Sequence, residues 1–131
     1  ISSGSFESFE SNIFHGLENL NDFSASQNKI KSTSTLRLNE TKCDSLLSID
    51  FSENAIEHLD SNTFLNLTNL RLIDLSRNSF EFIEEKIFRN LNLLNRLPIE
   101  LRIRSILNFS NSILFSTRIS QNSPVHILES P

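Results

Sequence analysis

Methionine, tryptophan and tyrosine are absent from this 131-residue chain, and only two glycines and one cysteine are present. A complete translated reading frame begins with Met, so the expectation is a fragment, or a mature or trimmed product. Gly4 and Gly16 alone cannot build a glycine-rich phosphate loop, and neither a G-x-S-x-G elbow nor an H-E-x-x-H helix occurs, so no catalytic residue is expected. Cys43 cannot form an internal disulfide, which leaves the redox compartment unread from cysteine pairing. His15, His58 and His126 are dispersed, without the Cys or carboxylate neighbours of a metal site, so neither metal nor cofactor is expected. No apolar run approaches the roughly 20 residues of a membrane span, and the opening Ile-Ser-Ser-Gly lacks the charged start and apolar centre of a signal peptide. With 12 basic and 16 acidic residues and no basic cluster, nucleic acid is a poor partner.

What is present is a repeat. Leu46-Leu47-Ser48-Ile49-Asp50-Phe51-Ser52-Glu53-Asn54-Ala55-Ile56 recurs, at a shift of 24, as Leu70-Arg71-Leu72-Ile73-Asp74-Leu75-Ser76-Arg77-Asn78-Ser79-Phe80, with every apolar position of the pattern and the Asn in register. Leu20 to Ile30 fits the same frame, giving three successive copies of L-x-x-L-x-L-x-x-N-x-L. The intervening halves match too, Ile56 to Leu67 aligning without gaps to Phe6 to Leu17, with a third copy from Phe80 to Leu91. Between Ile30 and Leu46 the unit is longer by one pair, yet Thr33, Leu38 and Cys43 still align with Leu59, Phe64 and Leu67 if the extra pair lies before Cys43.

Elementary geometry explains the pattern. Leu-x-Leu makes a short strand with alternate apolar side chains turned inward, and successive units stack these strands into a parallel sheet. The Asn of each copy, Asn28, Asn54 and Asn78, stands where the chain leaves the sheet, and its amide can both donate to and accept from the backbone of neighbouring turns. Phe14, Phe64 and Phe88 are expected to enter the core from the opposite side, and Cys43 to be a small buried hydrophobe. No unit buries its apolar face alone, so stability depends on neighbours, and uncapped ends make the isolated chain marginally stable and prone to associate.

On these residues the chain resembles the leucine-rich repeat family, with the 24-residue unit, the convex Phe, and the Phe14-His15-Gly16-Leu17 segment similar to the extracellular class of Toll-like receptors, Slit-like guidance proteins and adhesion proteins. The resemblance implies an α/β-type solenoid, with short parallel strands on a concave face and loops, turns or short helices on the convex side. It covers residues 1–97 as about four units, the first and last partial; residues 98–131, without lysine or aspartate, are degenerate repeat, disorder or a stretch read out of frame. The function it implies is a protein-binding module of an extracellular receptor, adhesion or guidance protein at the cell surface. A cytosolic scaffold or regulatory subunit, or a substrate-positioning appendage of a larger enzyme, uses the same solenoid.

Outward strand positions fall in columns: Asp22, Ser48, Leu72 and Arg96; Ser24, Asp50 and Asp74; Ser26, Ser52 and Ser76; Gln27, Glu53 and Arg77. Asp50, Glu53, Leu72, Asp74 and Arg77 are the candidate ligand contacts, although Asp and Ser are common filler in this family and Glu53 and Arg77 can pair with each other. Three N-x-S/T triplets, at Asn39, Asn66 and Asn108, are candidate glycosylation sites, and the first two map to the convex half of a unit.

Overall fold

Alternation of apolar and polar residues over so few positions yields very short strands, stable only as rungs of a ladder. The computed structural model describes residues 4–10, 13–36, 38–40, 42–80, 83, 87, 99–102 and 125–128. Its strands are β1 (Asp22–Ser24), β2 (Ser48–Asp50), β3 (Leu72–Asp74), β4 (Ile99–Arg102) and β5 (Val125–Leu128). They form one parallel sheet whose spatial order is the chain order. Parallel neighbours need a long return connection, and from β1 to β3 each return is the second half of a repeat, so the chain winds as a solenoid.

The register tests the repeat spacing directly. Asp22 pairs with Ser48, a step of 26, and Ser48 with Leu72, a step of 24, as the alignment of the units requires. An isolated parallel bridge between Ser32 and His58 keeps the step of 26 in the return half, aligning Thr33 with Leu59. The next step differs from expectation, because Leu72 pairs with Glu100, a step of 28, where a step of 24 puts Arg96. The shorter step would set Pro98 opposite Asp74, the last residue of β3, where a missing N–H shortens the ladder; the longer one leaves Pro98 just ahead of β4. Arg96 itself lies outside the described residues. From β4 to β5 the step is 26, with Glu100 opposite His126 and Leu101 opposite Ile127.

Inside the coil lie the positions the pattern marks as apolar: Leu46, Ile49, Phe51, Ile56, Leu70, Ile73, Leu75 and Phe80 are all buried. Phe14 and Phe64 close the core from the return side and are 2% and 0% exposed, while Phe88 lies outside the described residues. Phe23 of β1 joins Phe9, Phe14 and Phe51 in a cluster of tilted and edge-on rings, the closest pair, Phe14 and Phe23, having centroids 4.8 Å apart. Edge-to-face packing suits the ring quadrupole, and each such pair adds about 1 kcal/mol beyond its buried area. Cys43 is buried, with its thiol toward the Leu17 carbonyl oxygen.

The repeated Asn side chains hold successive turns together. Asn54 Oδ1 accepts from the Ile30 amide at 3.1 Å, while its Nδ2 donates to the carbonyls of Ala25 in the preceding unit and of Phe51 and Ser52 in its own. Asn78 repeats the arrangement with the Ile56 amide and the Phe51, Leu75 and Ser76 carbonyls. Asn28 does so with the Phe6 amide and the Ala25 and Ser26 carbonyls. A carboxylate lacks the donors and a hydroxyl has too few, so an amide is the side chain this position needs.

Candidate functional site

The outward columns of the sheet are the surface that this fold presents, and the structure brings the candidate contact residues together on it. In β2, Ser48 and Asp50 flank buried Ile49; in β3, Leu72 and Asp74 flank buried Ile73. Register sets Asp22, Ser48 and Leu72 in one column and Ser24, Asp50 and Asp74 in the next. Leu72 is the apolar member of a polar face, half-buried between its neighbours.

Hydrogen bonding immobilises this face. Asp50 Oδ1 accepts from both the amide and the hydroxyl of Ser52, at 2.9 and 2.6 Å, and Asp50 Oδ2 accepts from the Ser24 hydroxyl at 3.2 Å. Asp74 Oδ1 holds the amide and hydroxyl of Ser76 in the same way, at 3.0 and 2.6 Å. Ser48 donates its hydroxyl to Asp22. These Asp-x-Ser turns form because a short carboxylate reaches the amide two positions along the chain. Part of each carboxylate is thus committed to the turn, a role the sequence pattern alone does not reveal.

Just past the strands, Gln27, Glu53 and Arg77 share a feature that no motif announced. All three have positive φ, at 57°, 55° and 55°. A left-handed residue there reverses the chain so that the following Asn enters the core. Side-chain bulk at such a position costs about 1–2 kcal/mol relative to a right-handed residue. The Arg77 guanidinium lies 3.3 Å from the Glu53 carboxylate, and the two side chains are 57% and 39% exposed. The pairing is the one foreseen, and exposed pairs of this kind contribute 1 kcal/mol or less, roughly.

The return half holds a second polar feature. Thr33 and Thr63 are buried, with hydroxyl oxygens 3.1 Å apart, and line a recess with Ser34, Glu40 and Asp60. The reach between units here follows from the long return connections and was not legible in the repeat pattern. His15 and His58 are exposed, and among the described residues no group of three His, Cys, Asp or Glu side chains is placed to hold a metal ion. Of the triplet asparagines, Asn66 is exposed in a return turn, Asn39 falls in a short 3-10 helix (Leu38–Glu40), and Asn108 lies outside the described residues. Among the described residues, no helix is long and apolar enough to cross a membrane.

Comparison with known proteins agrees with this geometry. The family model described as leucine rich repeat matches residues 41–100. A solved structure of the Drosophila Toll–Spatzle complex, described as a molecular hub in development and innate immunity, contains a chain similar to this one at 26% identity with a TM-score of 0.58. That similarity covers 80% of this chain and 14% of the other, so the present chain spans a small part of the Toll-complex chain. No curated protein matches it.

Proposed function

This chain is a leucine-rich repeat protein, and from that premise we propose that it is a recognition module of an extracellular receptor, adhesion or guidance protein, binding a protein ligand through the outward face of its strands. The observation that carries the reading is the pre-ordered face itself. Asp50 and Asp74 are held by their Ser turns, and the Asn ladder fixes the spacing of the rungs, so a partner meets side chains already in place. Pre-organisation of this sort lowers the entropy cost of binding.

The chemistry of the face selects the partner. Asp22, Asp50, Asp74 and Glu53 against Arg77 make the described strand face acidic, and Leu72 offers one apolar anchor. A ligand with basic groups around an apolar pocket or knob fits, and its association rate falls as salt rises. Asp50, Glu53, Leu72, Asp74 and Arg77 are the contacts of this proposal. The extracellular assignment draws on the unit type and on the likeness to the Toll complex. In this reading the chain acts by binding.

The test is a panel of purified secreted and cell-surface proteins screened against the chain, with Leu72→Arg and Asp74→Lys as strand-face variants and Asn62→Arg as a return-face control. A binder that loses at least tenfold in affinity with the first two and none with the third supports the proposal. A binder that weakens only with Asn62→Arg moves the interaction to the other face, and recovery of the natural protein solely from the cytosol returns the scaffold reading.

A further inference from the structure

We propose that Asn66 carries an N-linked glycan, which makes the return side of this unit a shielded surface. The inference rests on the extracellular reading above, because the sugar donor is available only in the secretory compartment. Asn66-Leu67-Thr68 has the acceptor pattern without proline.

Geometry singles out this triplet. Phe64 and Leu67 are buried on either side of Asn66, and the Leu67 amide donates to the Phe64 carbonyl at 3.3 Å, so the backbone bulges outward at the exposed Asn66. The same turn occurs at Phe14-His15-Gly16-Leu17, where the Leu17 amide donates to the Phe14 carbonyl at 3.1 Å. Gly16 has φ +79° and Asn66 φ +69°, and a Cβ at Gly16 would meet no atom within 4 Å. Asn66 itself is exposed, on the surface to which a sugar would be added. Thr68 is half-buried, and its amide donates to the Asn66 carbonyl at 3.0 Å, which keeps the hydroxyl residue beside the acceptor.

A purely conformational account of Asn66 also exists, because Asn is the residue after Gly that best tolerates a left-handed backbone. That account does not call for a hydroxyl residue at position 68. The corresponding triplets, Gly16-Leu17-Glu18, Lys42-Cys43-Asp44 and Asn90-Leu91-Asn92, all lack a hydroxyl at the third position, and the turn forms at Gly16 without one. At this turn position only Asn66 is followed by a hydroxyl residue two places on.

In the transfer, the Asn66 amide nitrogen attacks the anomeric carbon of a lipid-diphosphate-linked oligosaccharide. A carbon–nitrogen bond forms, and the carbon–oxygen bond to the diphosphate breaks. The lipid diphosphate leaves with the electron pair, and the amide proton passes to a base of the transferase.

The experiment translates the whole chain behind a secretory leader in the presence of endoplasmic-reticulum membranes, and reads endoglycosidase-sensitive mobility and site occupancy by peptide mass spectrometry. Occupied Asn66 is expected in the chain itself and in Thr68→Ser, with occupancy lost in Thr68→Ala and Asn66→Gly; the latter keeps the left-handed turn. A translocated, protease-protected chain with bare Asn66 overturns the proposal while leaving the extracellular reading intact. Natural protein found only in the cytosol overturns both, and a natural secreted protein glycosylated at Asn66 supports both.

Discussion

Asn54 shows how much one side chain carries in this architecture. Its four hydrogen bonds join two units, and its removal takes the acceptor from the Ile30 amide and a donor from each of the Ala25, Phe51 and Ser52 carbonyls, of which Ala25 keeps Asn28. A buried polar group left unsatisfied costs about 1–3 kcal/mol. Asn54→Ala is therefore expected to lower unfolding stability by about 2 kcal/mol or more, and Asn54→Asp to fail to rescue it, because a carboxylate cannot donate to those carbonyls. Urea denaturation of the two variants checks this. The Asn was legible in the sequence because its spacing is rigid; its dual bonding to two units needed the stacked turns.

Arg77 illustrates the opposite case, a residue whose backbone matters more than its charge. Its ion pair with Glu53 is exposed and worth 1 kcal/mol or less, roughly. Its left-handed φ disfavours any residue with a Cβ by an energy of about that size or larger. Arg77→Gly is expected to be more stable than Arg77→Ala by roughly 1 kcal/mol, since both lose the pair and only Gly relieves the backbone. Equal melting midpoints for the two variants would remove the argument from strain.

At the scale of the strand, the residues of β3 divide their roles cleanly. Ile73 is fully buried between Leu72 and Asp74, so Ile73→Ala is expected to cost about 2–5 kcal/mol of stability. Leu72→Arg changes an outward position and is expected to stay within about 1 kcal/mol of the parent, because substitutions away from the core perturb little. Circular dichroism melts of the pair read the difference. This division was legible in the sequence alone, because alternation is a local property of a strand. The Asp-x-Ser turns were less so: Asp50 and Asp74 look like ligand contacts in a column, and only their bonds to Ser52 and Ser76 reveal the structural part they also play.

At the scale of the molecule, contacts run between adjacent units, so energetic coupling should decay with repeat separation. Asn54 and Asn78 both donate to the Phe51 carbonyl, whereas Asn28 and Asn78 share no acceptor. Alanine substitutions at the first pair are expected to be non-additive by at least about 0.5 kcal/mol, and those at the second to add within about that amount, as a double-mutant cycle measures. Phe6 and Leu17, 42% and 43% exposed, leave apolar surface in the first unit, where the Phe6 ring lies beside Phe9. Replacing both with Gln is expected to reduce concentration-dependent association in sedimentation velocity.

The sequence by itself determined the repeat, the inward and outward sides of β1, β2 and β3, and the place of the Asn ladder, because each depends on spacing within one unit. Tertiary structure decided what lies across the sheet from Leu72: Glu100, not Arg96. A return segment can lengthen slightly without altering the apolar pattern of the strand it precedes, so only the pairing of backbone N–H and C=O groups settles the register. The left-handed column at Gln27, Glu53 and Arg77 was likewise decided there, since the pull of the following Asn into the core forces a conformation that none of those residues prefers.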